Sequence, residues 1–195
     1  LYRVELDGTY TRVGASDWKH TTQMHAVDGK LYLTYGKVFG CNGGGGLWRV
    51  DPADVNHVKV GNGDWSNAGH VLAYNGALYC ICGQLCNGRG AGGLYHVDLT
   101  TEVHQRIGGG DWSNATQLVE CGGSFYVVCG KARGCRGAGG LYKINMADGS
   151  QAHHRVGDTD WSDATHVIGC HGSLLVVQGW ISGCRGNGGL YRVLC

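Results

Sequence analysis

Apolar and β-branched residues gather along this chain in runs of strand length, and glycine-rich breaks separate the runs. The third of its repeating stretches shows the pattern most plainly, with runs over 116–121, 124–130, 140–145 and 153–156. We label these A, B, C and D. Runs A to C are rich in hydrophobic and β-branched residues, whereas D is short and more polar. That gradient predicts an antiparallel sheet passing from a buried inner edge to a solvated outer one.

The pattern recurs. Asp-Trp stands at Asp17-Trp18, Asp64-Trp65, Asp111-Trp112 and Asp160-Trp161, at intervals of 47, 47 and 49 residues. Val-Gly or Ile-Gly precedes each pair, and Leu-Tyr or Leu-Trp is a second landmark at Leu47, Leu94, Leu141 and Leu190, echoed by Leu1-Tyr2. Four antiparallel strands in about 45 residues is the size of a propeller blade. The expectation is an all-β fold, a small four-bladed β-propeller of four repeats of about 47 residues. It would form one domain over 1–195, with repeats near 1–46, 47–93, 94–140 and 141–189 and a closing strand at 190–195. Strand A would line the axis, where Ala68, Gly69, Ala115, Thr116, Ala164 and Thr165 are small enough to fit. The chain starts with a C-type run (1–4) and a D-type run (9–13) and ends on a C-type run, so the last blade should take its D strand from the amino terminus. One C-type run is then surplus: it competes for one slot, forms an extra edge, or pairs with another molecule as a homo-oligomer.

Composition narrows the class. The 37 glycines, ten cysteines and single proline mark a turn-rich β protein. A formal net charge of +1 argues against nucleic-acid partners, and no apolar run is long enough to span a bilayer as a helix. Ten cysteines fit an oxidising compartment, which predicts a secreted protein, already processed. Spacing suggests hairpin disulfides Cys82–Cys86 and Cys129–Cys135, and a pairing of Cys121 with Cys170 between neighbouring A-to-B turns. Partners for Cys41 and Cys184 stay open, and Cys80 and Cys195 are left over. Cys80-x-Cys82 lacks the second ligand pair of a zinc site, so no metal or other cofactor is expected.

In an up-and-down blade the D-to-A and B-to-C connections share one end, and the repeated polar motifs fall there. The D-to-A loops carry Asp17 and Trp18; Asp64, Trp65, Ser66 and Asn67; Asp111, Trp112, Ser113 and Asn114; and Asp160, Trp161, Ser162 and Asp163. The B-to-C loops carry Arg89, Arg136 and Arg185, with Lys37 and Lys131 nearby. Carboxylates and amides suit sugar hydroxyls, an indole suits the C–H face of a pyranose, and arginine suits an acidic substituent. Each feature also has a plain structural reading. The tryptophans can wedge between blades, the aspartates can tie down their loops, and the aligned Gln23, His70, Gln117 and His166 can hydrogen-bond between blades. Asn114-Ala115-Thr116 is an N-glycosylation sequon.

The string Val60 to Ser66, followed by Asn75-Gly76-Ala77-Leu78-Tyr79 and Gly93-Leu94-Tyr95, resembles the repeats of the tachylectin and tectonin β-propeller lectins. The resemblance implies sugar sites between blades, built on the Asp-Trp loops, for ligands such as N-acetylglucosamine. This chain departs from it in having four units, ten cysteines and a distinctive Cys-Arg-Gly-x-Gly-Gly loop, and its first unit has Lys19 and His20 where the others have Ser and Asn or Asp. The expected function is a multivalent, non-catalytic lectin of innate defence, agglutinating cells or glycoproteins through N-acetylated or acidic glycans. Its rivals are a structural or protein-binding propeller and a glycosidase; four similar loops do not supply the two dissimilar carboxylates that a glycosidase needs.

Overall fold

The computed structural model describes residues 1–14, 18–35, 45–54, 56–63, 65, 68–82, 92–110, 112, 114–129, 139–146, 152–179 and 188–195. Every regular element among them is a β-strand. A hairpin of β1 (Tyr2–Val4) and β2 (Tyr10–Arg12) leads into the first blade, β3 (Thr21–Val27), β4 (Lys30–Tyr35), β5 (Gly46–Val50) and β6 (His57–Lys59). The second blade is β7 (Ala68–Tyr74), β8 (Ala77–Cys82), β9 (Gly93–Asp98) and β10 (His104–Ile107). The third is β11 (Ala115–Cys121), β12 (Ser124–Cys129), β13 (Gly140–Asn145) and β14 (His153–Arg155). The last sheet has three strands, β15 (Ala164–Cys170), β16 (Ser173–Gln178) and β17 (Gly189–Leu194). The four β-prone runs read from the third repeat reappear as its four strands.

Strands pair antiparallel in sequence order within each blade, and the inner strands β3, β7, β11 and β15 pack side by side in succession. The turns from A to B are two residues long, Asp28-Gly29, Asn75-Gly76, Gly122-Gly123 and His171-Gly172, and all eight residues have positive φ between 47° and 76°. Two left-handed residues in a row form the hairpin turn whose twist matches that of the strands it joins.

The core lies between blades, in three layers. Because side chains alternate faces along a strand, the second and third blades each give one face to the layer before and the other to the layer after. Tyr32, Leu47 and Val60 of the first blade meet Trp65, Val71, Leu78 and Cys80 of the second. Ile81, Leu94 and Ile107 then meet Trp112, Leu118, Phe125 and Val127, and Tyr126, Val128 and Leu141 meet Trp161, Val167, Leu174 and Val176. Gln23 donates to the carbonyl of Gly69 and Gln117 to that of Thr165, so the aligned amides bridge neighbouring inner strands, as one reading of the sequence expects.

Two expectations need correction. The fourth sheet does not take its outer strand from the amino terminus: β2 is paired with β1, and the outer edge of β17 carries no strand among the described residues. Cys121 is bonded to Cys195 rather than Cys170, because the end of β17 reaches back to the A-to-B turn of the third blade while Cys170 points to solvent. Cys41, Cys86, Cys135 and Cys184 lie outside the described residues, and with them the hairpin pairings proposed for Cys82 and Cys129.

Candidate functional site

Each D-to-A loop enters its blade through the same local geometry. The glycine after strand D has positive φ at Gly14, Gly61, Gly108 and Gly157, turning the chain where an L side chain would be strained. The carbonyls of Trp18, Trp65, Trp112 and Trp161 each accept from the N–H three residues on, a turn that launches strand A.

The tryptophans are committed to packing. Trp65, Trp112 and Trp161 are 3, 4 and 6% exposed, so their faces are used inside the protein. Trp65 stands edge-on to Tyr95 and His104, and Trp112 to Tyr142 and His153, with centroids 4.9–5.8 Å apart. Trp18 makes the equivalent cluster with Trp48 and His57 but is only half-buried. Edge-to-face geometry places the positive rim of one ring on the negative face of another, worth about 0.5–1.5 kcal/mol per pair beyond area burial. Of the expected sugar platforms, the indoles of the last three units therefore serve the interior.

The polar part of the loop is better placed for a ligand. Asp160 is exposed, and Asn114, Ser162 and Asp163 are half-buried. Asp160 Oδ1 accepts from the Ser162 N–H at 3.0 Å, so the aspartate also braces its own loop. Gln178, at the end of β16, donates to the Asp160 carbonyl at 2.9 Å. The end of the preceding B-to-C loop comes close: a Cβ built on Gly139 would lie 2.6 Å from Ser162 Cβ and 2.8 Å from Asp160 Oδ1. The two loop types do meet at one blade junction, and a glycine lets them.

A cation on strand D fastens them. Arg155 donates to the carbonyls of Gly139, Asp158 and Thr159, and Arg106 to those of Gly92 and Gly110. Glycines at the start of strand C leave the room, since a Cβ on Gly46, Gly93 or Gly140 would meet Lys59, Arg106 or Arg155 at 2.8–3.0 Å. Sequence reasoning passed over this clamp and the strand-D histidines of the aromatic clusters. Their signal was there: His57, His104 and His153, like Lys59, Arg106 and Arg155, repeat at intervals of 47 and 49 residues.

Asp17, Asp64, Ser66, Asn67, Asp111, Ser113, Arg89, Arg136 and Arg185 lie outside the described residues. Burial pulls the pKa values of His25 and His70, both on inner strands, below the ordinary 6.5 and pushes the Cys80 thiol well up.

No protein-family model and no curated protein matches the sequence. Solved structures match the fold. TolB from Acinetobacter baumannii aligns over 85% of this chain and 38% of its own, at 13% identity and a TM-score of 0.58. The extracellular domain of the putative one-component system BT4673 from B. thetaiotaomicron aligns over 89% of this chain and 20% of its own, at 13% identity and a TM-score of 0.56. The tricorn protease aligns over 99% and 18%, at 17% identity and a TM-score of 0.56. This chain thus spans less than two-fifths of each, and the likeness establishes a β-propeller fold.

Proposed function

We propose that this protein is a multivalent carbohydrate-binding protein without catalytic activity, with one candidate site at each junction between consecutive blades. The observation that carries this reading is the meeting of the Gly139 end of the B-to-C loop with Asp160 and Ser162, which sets an exposed carboxylate and a half-buried hydroxyl beside that loop. Carboxylates and hydroxyls hydrogen-bond to vicinal sugar hydroxyls. The patch should recur wherever the motif does, and linking weak sites raises avidity by about 10²–10⁴ without new contacts. The ligands would be N-acetylated or acidic glycans on cell surfaces or glycoproteins, the acidic ones read by Arg89, Arg136 and Arg185. The Cys121–Cys195 bond supports an oxidising compartment and hence a secreted protein.

A glycan array with neutral, N-acetylated, uronic and sulfated sugars tests this reading on the non-reduced protein. Binding to a coherent class supports it, and a blank array beside active controls removes it for those sugars. The burial of Trp65, Trp112 and Trp161 favours a second reading, a scaffold that binds protein through other surfaces. Replacing Asp64, Asp111 and Asp160 together by Ala separates the two. A lectin loses binding and keeps its melting temperature, whereas a purely architectural role shows as lost thermal stability.

A further inference from the structure

The outer strands of the first three blades repeat one cationic pair. β6, β10 and β14 carry His57 and Lys59, His104 and Arg106, and His153 and Arg155, and all six residues are exposed. Residues two apart on a strand share a face and lie about 7 Å from one another. One strand-C ring serves both members of each pair. Trp48, Tyr95 and Tyr142 stand directly opposite the cation and 5.8–6.3 Å from the imidazole.

Charge is segregated along this edge. The whole chain balances 16 lysines and arginines against 15 aspartates and glutamates. Strands C and D of these three blades instead hold five lysines and arginines and five of the ten histidines, with a single carboxylate, Asp98. Asp98 accepts from the N–H groups of Thr100 and Thr101, and nearby Glu102 pairs with Arg49 at 3.6 Å. Guarding an exposed sheet edge against another chain takes charge of either sign. The outer strands β6, β10 and β14 carry one sign only.

Two of the cations are also fixed in advance. Every described hydrogen bond of Arg106 and Arg155 leaves from Nη2 toward loop carbonyls, so Nη1 is left to a ligand. A guanidinium already held in place loses little side-chain entropy on meeting an anion. Lys59 enters no described hydrogen bond or ion pair.

We propose that each His-x-Lys or His-x-Arg pair is a subsite for one sulfate group, and that the three subsites take a linear sulfated glycan along the outer edge of the propeller. An N–H···O bond of about 2.9 Å on either side of a tetrahedral anion spans roughly the separation within a pair. Arginine and lysine supply charge, and each imidazole supplies at least one N–H donor. The rings behind the pairs select a sulfated glycan over a nucleic acid: Trp65 and Trp112, which back His104 and His153, are 3 and 4% exposed and give bases no platform to stack on. This edge is separate from the Asp-Trp loops, and the inference stands whether or not those loops bind sugar.

Retention of the intact, non-reduced chain on immobilised heparin tests it, beside a neutral dextran column, at about 50 mM salt, where screening is weak. The chain should be retained on heparin alone and elute as salt rises. Replacing Lys59, Arg106 and Arg155 together by Gln should leave the circular dichroism unchanged and lower heparin affinity at least about tenfold, the worth of one charge-assisted hydrogen bond. Footprinting of the wild-type chain covers the case in which that variant unfolds. A heparin oligosaccharide should slow diethyl pyrocarbonate modification of His57, His104 and His153 several-fold and spare the exposed His171, in the turn between β15 and β16. Replacing Asp64, Asp111 and Asp160 by Ala should leave heparin affinity intact, which separates this edge from the junction sites. Absence of retention overturns the inference, as does equal slowing at His171 or a folded Gln variant of undiminished affinity. Loss of heparin affinity in the Asp variant overturns it too, as does an oligonucleotide of equal charge that binds as tightly.

Discussion

Arg155 donates to the carbonyl oxygen of Gly139 at 3.2 Å, across a gap that only the absent side chain of Gly140 leaves open. The guanidinium has several donors in a fixed fork, and it spends them on carbonyls of both loops that form the candidate site. Arg155→Met should destabilise the fold by about 0.5–1.5 kcal/mol, the net value of such hydrogen bonds. It should lower glycan affinity at that junction by more than the stability change explains. Gly140→Ala should act in the same direction by displacing the arginine. Chemical denaturation and glycan titration, run on both variants, check this.

The Cys121–Cys195 bond closes 74 residues of chain. By the loop-entropy model, a link of that span restricts the unfolded chain enough to stabilise the fold by about 4 kcal/mol. The paired substitution Cys121→Ser/Cys195→Ser should lower the denaturation midpoint markedly. The loss should concentrate at the carboxyl-terminal end of β17, read as faster amide exchange there.

His25 and His70 are held below their ordinary pKa by burial. The folded protein therefore prefers both neutral, while the unfolded chain takes up protons near pH 6.5. Their contribution is whole above that value and is lost as pH falls below it toward the folded values. The melting temperature should decline between about pH 7.5 and 5.5. Replacing His25 by Leu and His70 by Gln, the residues that sibling blades use at Leu72 and Gln117, should flatten that part of the curve.

Two thiols should differ sharply in reactivity. Cys170 is exposed, whereas Cys80 is buried, and its thiol is pushed well up by desolvation, with the neighbouring Cys82 as a lesser cause. Reactivity follows the thiolate fraction and access. Alkylation of the native, non-reduced protein followed by mass spectrometry should label Cys170 rapidly and Cys80 only on unfolding. Equal rates would show that the core layer between the first and second blades opens far more readily than its packing implies.

The sequence by itself determined the repeating local frame. The strand runs, the two-residue turns at positions such as Asn75-Gly76, and the meeting of the Asp-Trp loops with the B-to-C loops all follow from local pattern and strand order. Local chemistry suffices there because turn geometry and side-chain alternation are set by a few neighbouring residues. Tertiary structure decided what depends on distant partners. The rings of Trp65 and Trp112 read from sequence as sugar platforms or, more often for a residue repeated once per blade, as wedges, and the closure of neighbouring blades over them makes them wedges. Cys121 had Cys170 aligned with it one blade away, yet the path of β17 brought Cys195 to it instead. The two Leu-Tyr-Arg-Val strands are identical as text, yet β2 pairs with 1–4, to which a short turn joins it, and not with 190–193. A short sequence can specify a strand but not its partner; chain connectivity and the surrounding packing decide that.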